Sequence, residues 1–339
     1  MKYDGKLFID EADAYTEYGV FVEQYGYKEL IQMPSFKKVD TTEWLEFDGV
    51  EADLISPVLD TRQLQIQFCI TNIRDAEDFF DDLTTCAYHT FYFVELKKTY
   101  KLRMISNGSF SSFIKLGKLT LTFADDFPAV PSGEYYQFGK SEIRQSGYEL
   151  DGLDLSQFGS YVLRGTDDSI RKAANVRDNL KISVNSVAGL SYDDESVYFK
   201  TKDVTLELLI DATDIDEFWA RYNALFSILM QPEQRTFYFS VLSAEYDCYY
   251  KTSAVSKFEI IPNGRVWCEF SVVLVFTAYR PESSWMLLAT EDFDWVITED
   301  GLARIKVRPK YGISLLVTED GKYIITESDS DKIYINNQK

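Results

Sequence analysis

Thr90-Phe91-Tyr92-Phe93 recurs unchanged as Thr236-Phe237-Tyr238-Phe239. A four-residue match carries little weight alone, but the flanks of these two copies also match, and in the same order. Ile9-Asp10-Glu11-Ala12-Asp13 resembles Leu150-Asp151-Gly152-Leu153-Asp154. After a one-residue slip, Tyr18-Gly19-Val20-Phe21-Val22 matches Phe158-Gly159-Ser160-Tyr161-Val162. Leu64 to Ile70 matches Val204 to Ile210, Asp78-Phe79-Phe80 matches Glu217-Phe218-Trp219, and Leu119 to Phe123 is paired with Val272 to Phe276. The offset grows from 140 residues at Leu64/Val204 to 153 at Leu119/Val272, as loops of unequal length require. Ordered matches of this kind mark an internal duplication.

Each copy has the same layout. Residues 64–70 and 204–210 alternate apolar and polar side chains, the period of a strand with one buried face. A helix is expected next. In the second copy Ile215, Phe218, Trp219, Tyr222, Leu225, Phe226 and Leu229 fall on one helical face. Asp214 stands at the N-cap with Glu217 three residues on, and Pro232 follows the end. In the first copy Asp75 caps a shorter helix with Phe79, Phe80 and Leu83 on its apolar face. Strands are then expected at 90–96, 100–105, 112–116 and 118–124, and at 236–242, 247–252, 256–261 and 266–277. Asn107-Gly108 and Asn263-Gly264 read as turns at matching places. Phe79, Phe80, Phe218, Trp219 and Tyr222 are the expected core anchors of the two helices.

The fold class is therefore mainly β with inserted helices, as two tandem split-barrel or β-sandwich units with one helix each. Unit 1 spans 1–130 and unit 2 spans 147–281. Residues 131–146, with Pro131, Gly133 and Gly139, read as the linker between them. Residues 282–339 differ in texture. Thr298-Glu299-Asp300-Gly301 recurs as Thr318-Glu319-Asp320-Gly321, which is turn chemistry for a C-terminal β-hairpin or meander whose edges can pair with another chain.

The composition narrows the function. The 339 residues carry 55 Asp and Glu against 35 Lys and Arg, a net charge of −20, and 45% are hydrophobic. That is enough apolar matter for real cores. The charge is −9 over residues 1–146, −7 over 147–280 and −4 over 281–339, so the acidity belongs to the repeated units rather than to a tail. Phosphate binding needs Lys and Arg, so a sequence-reading nucleic-acid surface is not expected. No run of residues has the length and apolarity of a membrane span, and Met1 to Asp10 has no signal-peptide pattern. Cys69, Cys86, Cys248 and Cys268 form no CxxC pair, and Cys69 and Cys268 sit in strand patterns as buried thiols.

Catalytic signatures are missing from the sequence. It contains no GxSxG, GxxxxGK[ST], HExxH or GxGxxG. The single histidine, His89, corresponds to Arg235 in the other unit, so the module itself does not depend on an imidazole. No catalytic residue, cofactor site or metal site is expected. The 52 aromatic residues counted as Phe, Tyr and Trp include many at core-facing positions.

A β-rich unit with one helix between its strands, ending in a long strand before Pro281, resembles the tail-tube and distal-tail-protein superfamily of tailed phages. The resemblance covers about residues 1–280 and rests on element order and duplication. A typical distal tail protein has one ring-forming domain followed by a carbohydrate-module-like domain; here a second ring-type unit takes that place. The resemblance implies a structural part of a phage or prophage tail, made in the bacterial cytoplasm and resident in the virion. It implies self-association into a ring, as a trimer with pseudo-sixfold symmetry or as a hexamer, around a channel for DNA. Its partners would be other tail proteins of the tube, the tip or hub, and the receptor-binding apparatus. An acidic channel wall would keep passing DNA from sticking. The competing reading is a glycan-binding β-sandwich adhesion protein with aromatics exposed on one face. An enzyme would instead need a deep pocket with converging polar groups.

Overall fold

The computed structural model describes residues 4–23, 26–44, 47–71, 75–113, 116–131, 143–178, 181–186, 188–192, 197–242 and 244–279, together with four short C-terminal strands. Unit 1 runs β1 (Leu7–Ile9), β2 (Ala12–Asp13), α1 (Ala14–Tyr18), β3 (Val20–Val22), α2 (Lys28–Ile31), β4 (Thr41–Thr42), β5 (Glu51–Ala52), β6 (Arg62–Ile70), α3 (Asp75–Thr85), β7 (His89–Phe93), β8 (Lys98–Phe113) and β9 (Leu116–Asp125). Its main sheet has seven antiparallel strands in the order β2-β1-β7-β8-β9-β6-β3. Unit 2 repeats this with β10 (Tyr148–Leu150), β11 (Leu153–Asp154), a 3-10 turn (Leu155–Phe158), β12 (Ser160–Val162), α4 (Thr166–Arg171), β13 (Lys181–Ile182), β14 (Ser191–Tyr192), β15 (Lys202–Ala212), α5 (Ile215–Leu229), β16 (Arg235–Phe239), β17 (Ala244–Ile260) and β18 (Val266–Phe276). Its sheet order, β11-β10-β16-β17-β18-β15-β12, is the same topology. The protein is mostly β, built of curled antiparallel half-barrels with helices inserted.

The same local chemistry folds both units. At the β1–β2 hairpin Asp10 takes the left-handed conformation at φ 46°, and Asp151 does so at φ 50° in the β10–β11 hairpin. Aspartate tolerates this region because its short carboxylate can bond locally. Asp10 Oδ1 accepts from Thr90 N–H at 2.7 Å, and Asp151 Oδ1 from Thr236 N–H at 2.8 Å. Asp13 and Asp154 then cap the turns that follow, and Gly19 and Gly159 end them in the left-handed conformation. The repeated Thr-Phe-Tyr-Phe is thus the strand on which each hairpin is pinned. Phe91 and Phe93, like Phe237 and Phe239, are fully buried.

A second shared device sits at the start of the long central strand. The Arg62 guanidinium donates to the carbonyls of Glu29 (3.1 Å), Leu30 (3.2 Å) and Gln32, and pairs with Asp125 at 3.0 Å. These carbonyls include orphan acceptors at the end of α2. Lys202, at the equivalent position, donates Nζ to the carbonyl of Ile170 in α4 and lies 4.0 Å from the centre of the Tyr279 ring.

The helix α5 begins as expected, with Asp214 accepting from Glu217 N–H at 2.8 Å. The reciprocal bond of the capping box is displaced by one residue, because Glu217 accepts from Thr213 N–H at 2.7 Å. Each unit also holds short helical turns that were not expected. They have four to six residues, too few for a period to register.

Three strand expectations change. Residues 100–105 and 112–113 belong to one strand, β8, with Leu116 opening β9, and 247–252 and 256–260 belong to one strand, β17. Register shifts at Met104/Ser106 and Asn107/Phe110, and at Tyr250/Thr252 and Val255/Lys257, interrupt the alternation and mimic strand ends in the sequence. Asn107-Gly108 therefore lies in an irregularity of β8, whereas Asn263-Gly264 lies in the turn before β18, with Gly264 at φ 90°. The last sequence match is also out by two. Ile66 pairs with Leu121 and Leu206 with Val272, so Leu121 corresponds to Val272 rather than to Leu274.

The C-terminal strands Met286–Leu287, Lys306–Val307, Ser314–Val317 and Tyr334–Ile335 pair in chain order, antiparallel. The Thr-Glu-Asp-Gly repeats themselves, and residues 132–142 of the expected linker, lie outside the described residues.

Lys202 gives the fold a pH signature. Burial, with a smaller contribution from nearby Lys172, lowers it to about 8. The unfolded chain holds this proton up to its ordinary value near ~10.4. Between these values the unfolded state binds more protons, so this group makes stability rise with pH through that window. Lys202→Met removes the contribution. The melting temperature of Lys202→Met minus that of wild type should fall steadily from pH 8 to 10, and a difference constant with pH would refute the assignment.

Candidate functional site

Between the short helix and the long central strand, each unit sends out an irregular arm. Arm 1 is residues 33–60, carrying β4 and β5; arm 2 is residues 173–200, carrying β13 and β14. Their described residues correspond in order. Phe36 bridges Leu59 as Val176 bridges Phe199. Lys37 N–H donates to Val58 O as Arg177 N–H donates to Tyr198 O, and Asp60 N–H to Ser35 O as Lys200 N–H to Asn175 O. Gly49 and Gly189, both at positive φ, occupy the same place.

Arm 1 lies across unit 2, which supplies the partners for its backbone. Arg177, 5% exposed, donates to the carbonyls of Trp44, Phe47 (3.0 Å) and Gly49, and its Nε is 2.8 Å from Glu43 Oε1. Gly49 N–H donates to Phe199 O at 2.8 Å, Val50 N–H to Thr277 O at 2.9 Å, and Phe199 N–H to Asp48 Oδ1 at 2.8 Å. At the root of the arm, Met33 N–H donates to Ser253 Oγ at 3.1 Å, while the Tyr250 hydroxyl donates to Met33 O at 3.1 Å. Phe36 packs edge-on to Tyr250 with centroids 5.5 Å apart. Such satisfaction is required of extended backbone taken out of water.

The expected anchors divide between core and seam. Phe79 is fully buried against Phe68, and Phe218 lies against Phe258. Phe80 is only half-buried. Tyr222 is buried, yet its hydroxyl donates to Ile31 O of unit 1 at 2.9 Å. Burial pushes this phenol well above its ordinary value, which keeps it a neutral donor. Trp219 packs on the edge of the core beside Phe218 and Tyr222 and also reaches unit 1. It is half-buried, donates Nε1–H to Leu96 O of unit 1 at 2.7 Å, and carries the Lys98 ammonium 4.2 Å from its ring centre. Through these side chains one continuous apolar cluster runs from Leu7 to Tyr279 across both units. Arg177, Tyr250 and Ser253 were not singled out from sequence. The sequence signal that could have found Arg177 was its pairing with Lys37 in the duplication.

His89 is buried, with Nδ1 2.6 Å from Asp10 Oδ2 and Nε2 3.1 Å from Leu83 O. Both nitrogens face acceptor oxygens. Cys86 Sγ lies 3.5 Å from Nε2, so Asp10, Cys86 and His89 form a group with metal-ligand atoms close together. The counterpart group explains its geometry differently. Arg235 pairs with Asp151 at 2.9 Å, the same hairpin clamp with a guanidinium in place of the imidazole. Cys248 and Cys268 are buried and burial pushes both thiols up, whereas Cys69 is half-buried and Cys86 exposed. Among the described residues no helix is long and apolar enough to cross a membrane.

No family model matches the chain, and no curated protein matches it. Among solved structures it is similar to the crystal structure of SPP1 Dit (gp 19.1), described as a paradigm of the hub adsorption apparatus in phages infecting Gram-positive hosts. The identity is 12%, covering 80% of this chain and 97% of that chain, at a TM-score of 0.29. A superposition that loose carries no argument about function.

Gly49 tests the seam. A Cβ there would stand 1.6 Å from Thr277 O, whereas a Cβ on Gly189 meets nothing within 4 Å. Both substitutions carry the strain of positive φ, about 1 kcal/mol. Gly49→Ala adds a backbone clash of about 1–3 kcal/mol. In dilute protein Gly49→Ala should lower the melting temperature more than Gly189→Ala and open arm 1 to proteolysis; equal effects would show that arm 1 is not seated on unit 2.

Proposed function

We propose that this chain is a structural subunit of a phage or prophage tail, an adaptor of the distal tail or baseplate. Its copies form a ring that joins the tail tube to host-recognition parts and leaves a channel for DNA. The observation that carries the reading is the way the two homologous half-barrels are joined: an arm of the first lies on the second, so the same module is linked head to tail. A contact of that kind, between a surface and a different surface of a like unit, can be repeated from copy to copy and closes into a ring when the rotation allows.

The role is non-catalytic: the polar groups that converge in the described part satisfy backbone and turns. Acidity shared by both units, −9 and −7 over their sequence segments, suits a wall that DNA passes without binding. Among the described residues most aromatic rings are buried or half-buried, which disfavours a glycan platform as the main function.

Light scattering after size exclusion should give a trimer or hexamer mass, and negative-stain images should show rings of three- or sixfold symmetry. A strictly monomeric protein at its highest soluble concentration would overturn the proposal.

A further inference from the structure

We infer that arm 2 docks on unit 1 of a second copy of this chain, repeating between copies the contact that arm 1 makes on unit 2 within one. The inference rests on the reading of the chain as a ring subunit and names the surfaces that build the ring.

The first support is equivalence. Arm 2 shares the bridge, the paired backbone bonds and the positive-φ glycine of arm 1. Positive φ favours glycine at both positions, and in arm 1 the close approach of Thr277 also leaves no room for a Cβ. In arm 2 the space that a Cβ at Gly189 would fill is open. A neighbour in the position of Thr277 fills it.

The second support is what arm 2 exposes. Val176, Ile182, Val184 and Leu190 are each half or more exposed on this one segment. Val176 and Leu190 stand where the seated arm 1 has the half-buried Phe36 and Val50.

The third support is the receiving surface. The strand registers place Asp126 and Phe127 of unit 1 where unit 2 has Thr277 and Ala278. Phe127 is 57% exposed, and Asp126 is held in place by Arg103 at 2.8 Å and the Tyr88 hydroxyl at 3.1 Å. Lys37 occupies the place of Arg177 and is exposed, where Arg177 is buried under arm 1. By analogy with arm 1, Leu190 N–H donates to Asp126 O of the neighbour, and the neighbour's Lys37 takes the carbonyls of Val184 and Gly189. The units already present one such contact, so the second commits to the same chain rather than to a foreign partner.

The test uses the full chain. Leu190→Asp and Phe127→Asp should each reduce the multimer to monomer mass, while far-ultraviolet circular dichroism of the variants stays that of the folded wild type. Gly189→Ala should weaken association while Lys37→Ala does so less. In a Cys86→Ser background, Leu190→Cys copies mixed with Phe127→Cys copies should be joined by a short thiol cross-linker into dimers. The within-chain control, Val50→Cys with Ala278→Cys, should link at monomer size. Multimers that persist in both aspartate variants, without dimer cross-links in the mixture, overturn the arm contact and leave the ring reading standing. A wild-type monomer at all concentrations overturns both.

Discussion

An extended stretch of backbone cannot lie across a protein unless something answers its N–H and C=O groups, and arm 1 finds those answers in the other unit. The Arg177 side chain alone serves three carbonyls. Tyr222 and Tyr250 reach over from α5 and β17 to serve two more. The arrangement of the whole molecule depends on this seam. It turns two half-barrels, each with its own sheet, into a body with one continuous apolar interior. It also fixes the direction of the join, since the donor arm belongs to the first module and the receiving side chains to the second.

The duplicated positions show which chemistry the module needs and which it merely uses. At the hairpin clamp the requirement is a donor group facing Asp10 or Asp151; imidazole and guanidinium both meet it. Ahead of the central strand the requirement is a long side chain that ends in donors and can reach the helix carbonyls. Arg62 makes several such bonds and a carboxylate pair, while Lys202 makes one bond and stacks its ammonium on Tyr279. The lone histidine thereby acquires an architectural explanation.

The sequence made the duplication, the long central strands and α5 legible, because each leaves a periodic trace of ten or so residues. Strand ends were harder. A register shift in β8 or β17 breaks alternation just as a turn does, so one strand read as two. The pairing of Leu121 with Val272 needed the ladder to Ile66 and Leu206, since a run of alternating apolar residues matches itself equally well two positions away. The seam was not legible at all. Arg177, Tyr250 and Ser253 act on residues more than a hundred positions distant, and no local pattern announces that. Trp219 was noticed for the right property, its size, but its indole N–H and ring face unit 1, and helical spacing cannot say what a partly buried face will meet.

Arm 1 also imposes an order of events during synthesis. Its own unit is complete once β9 has emerged, but its receiving groups extend from Arg177 to Thr277. Through the making of some hundred and fifty further residues the arm has no seat, and the backbone groups that unit 2 will answer are served by water. The nascent chain therefore carries a settled first sheet with a loose strap, and the strap is buckled only when β18 arrives. Vectorial synthesis thus separates in time two processes that the finished protein presents as one: closing a module and joining it to the next.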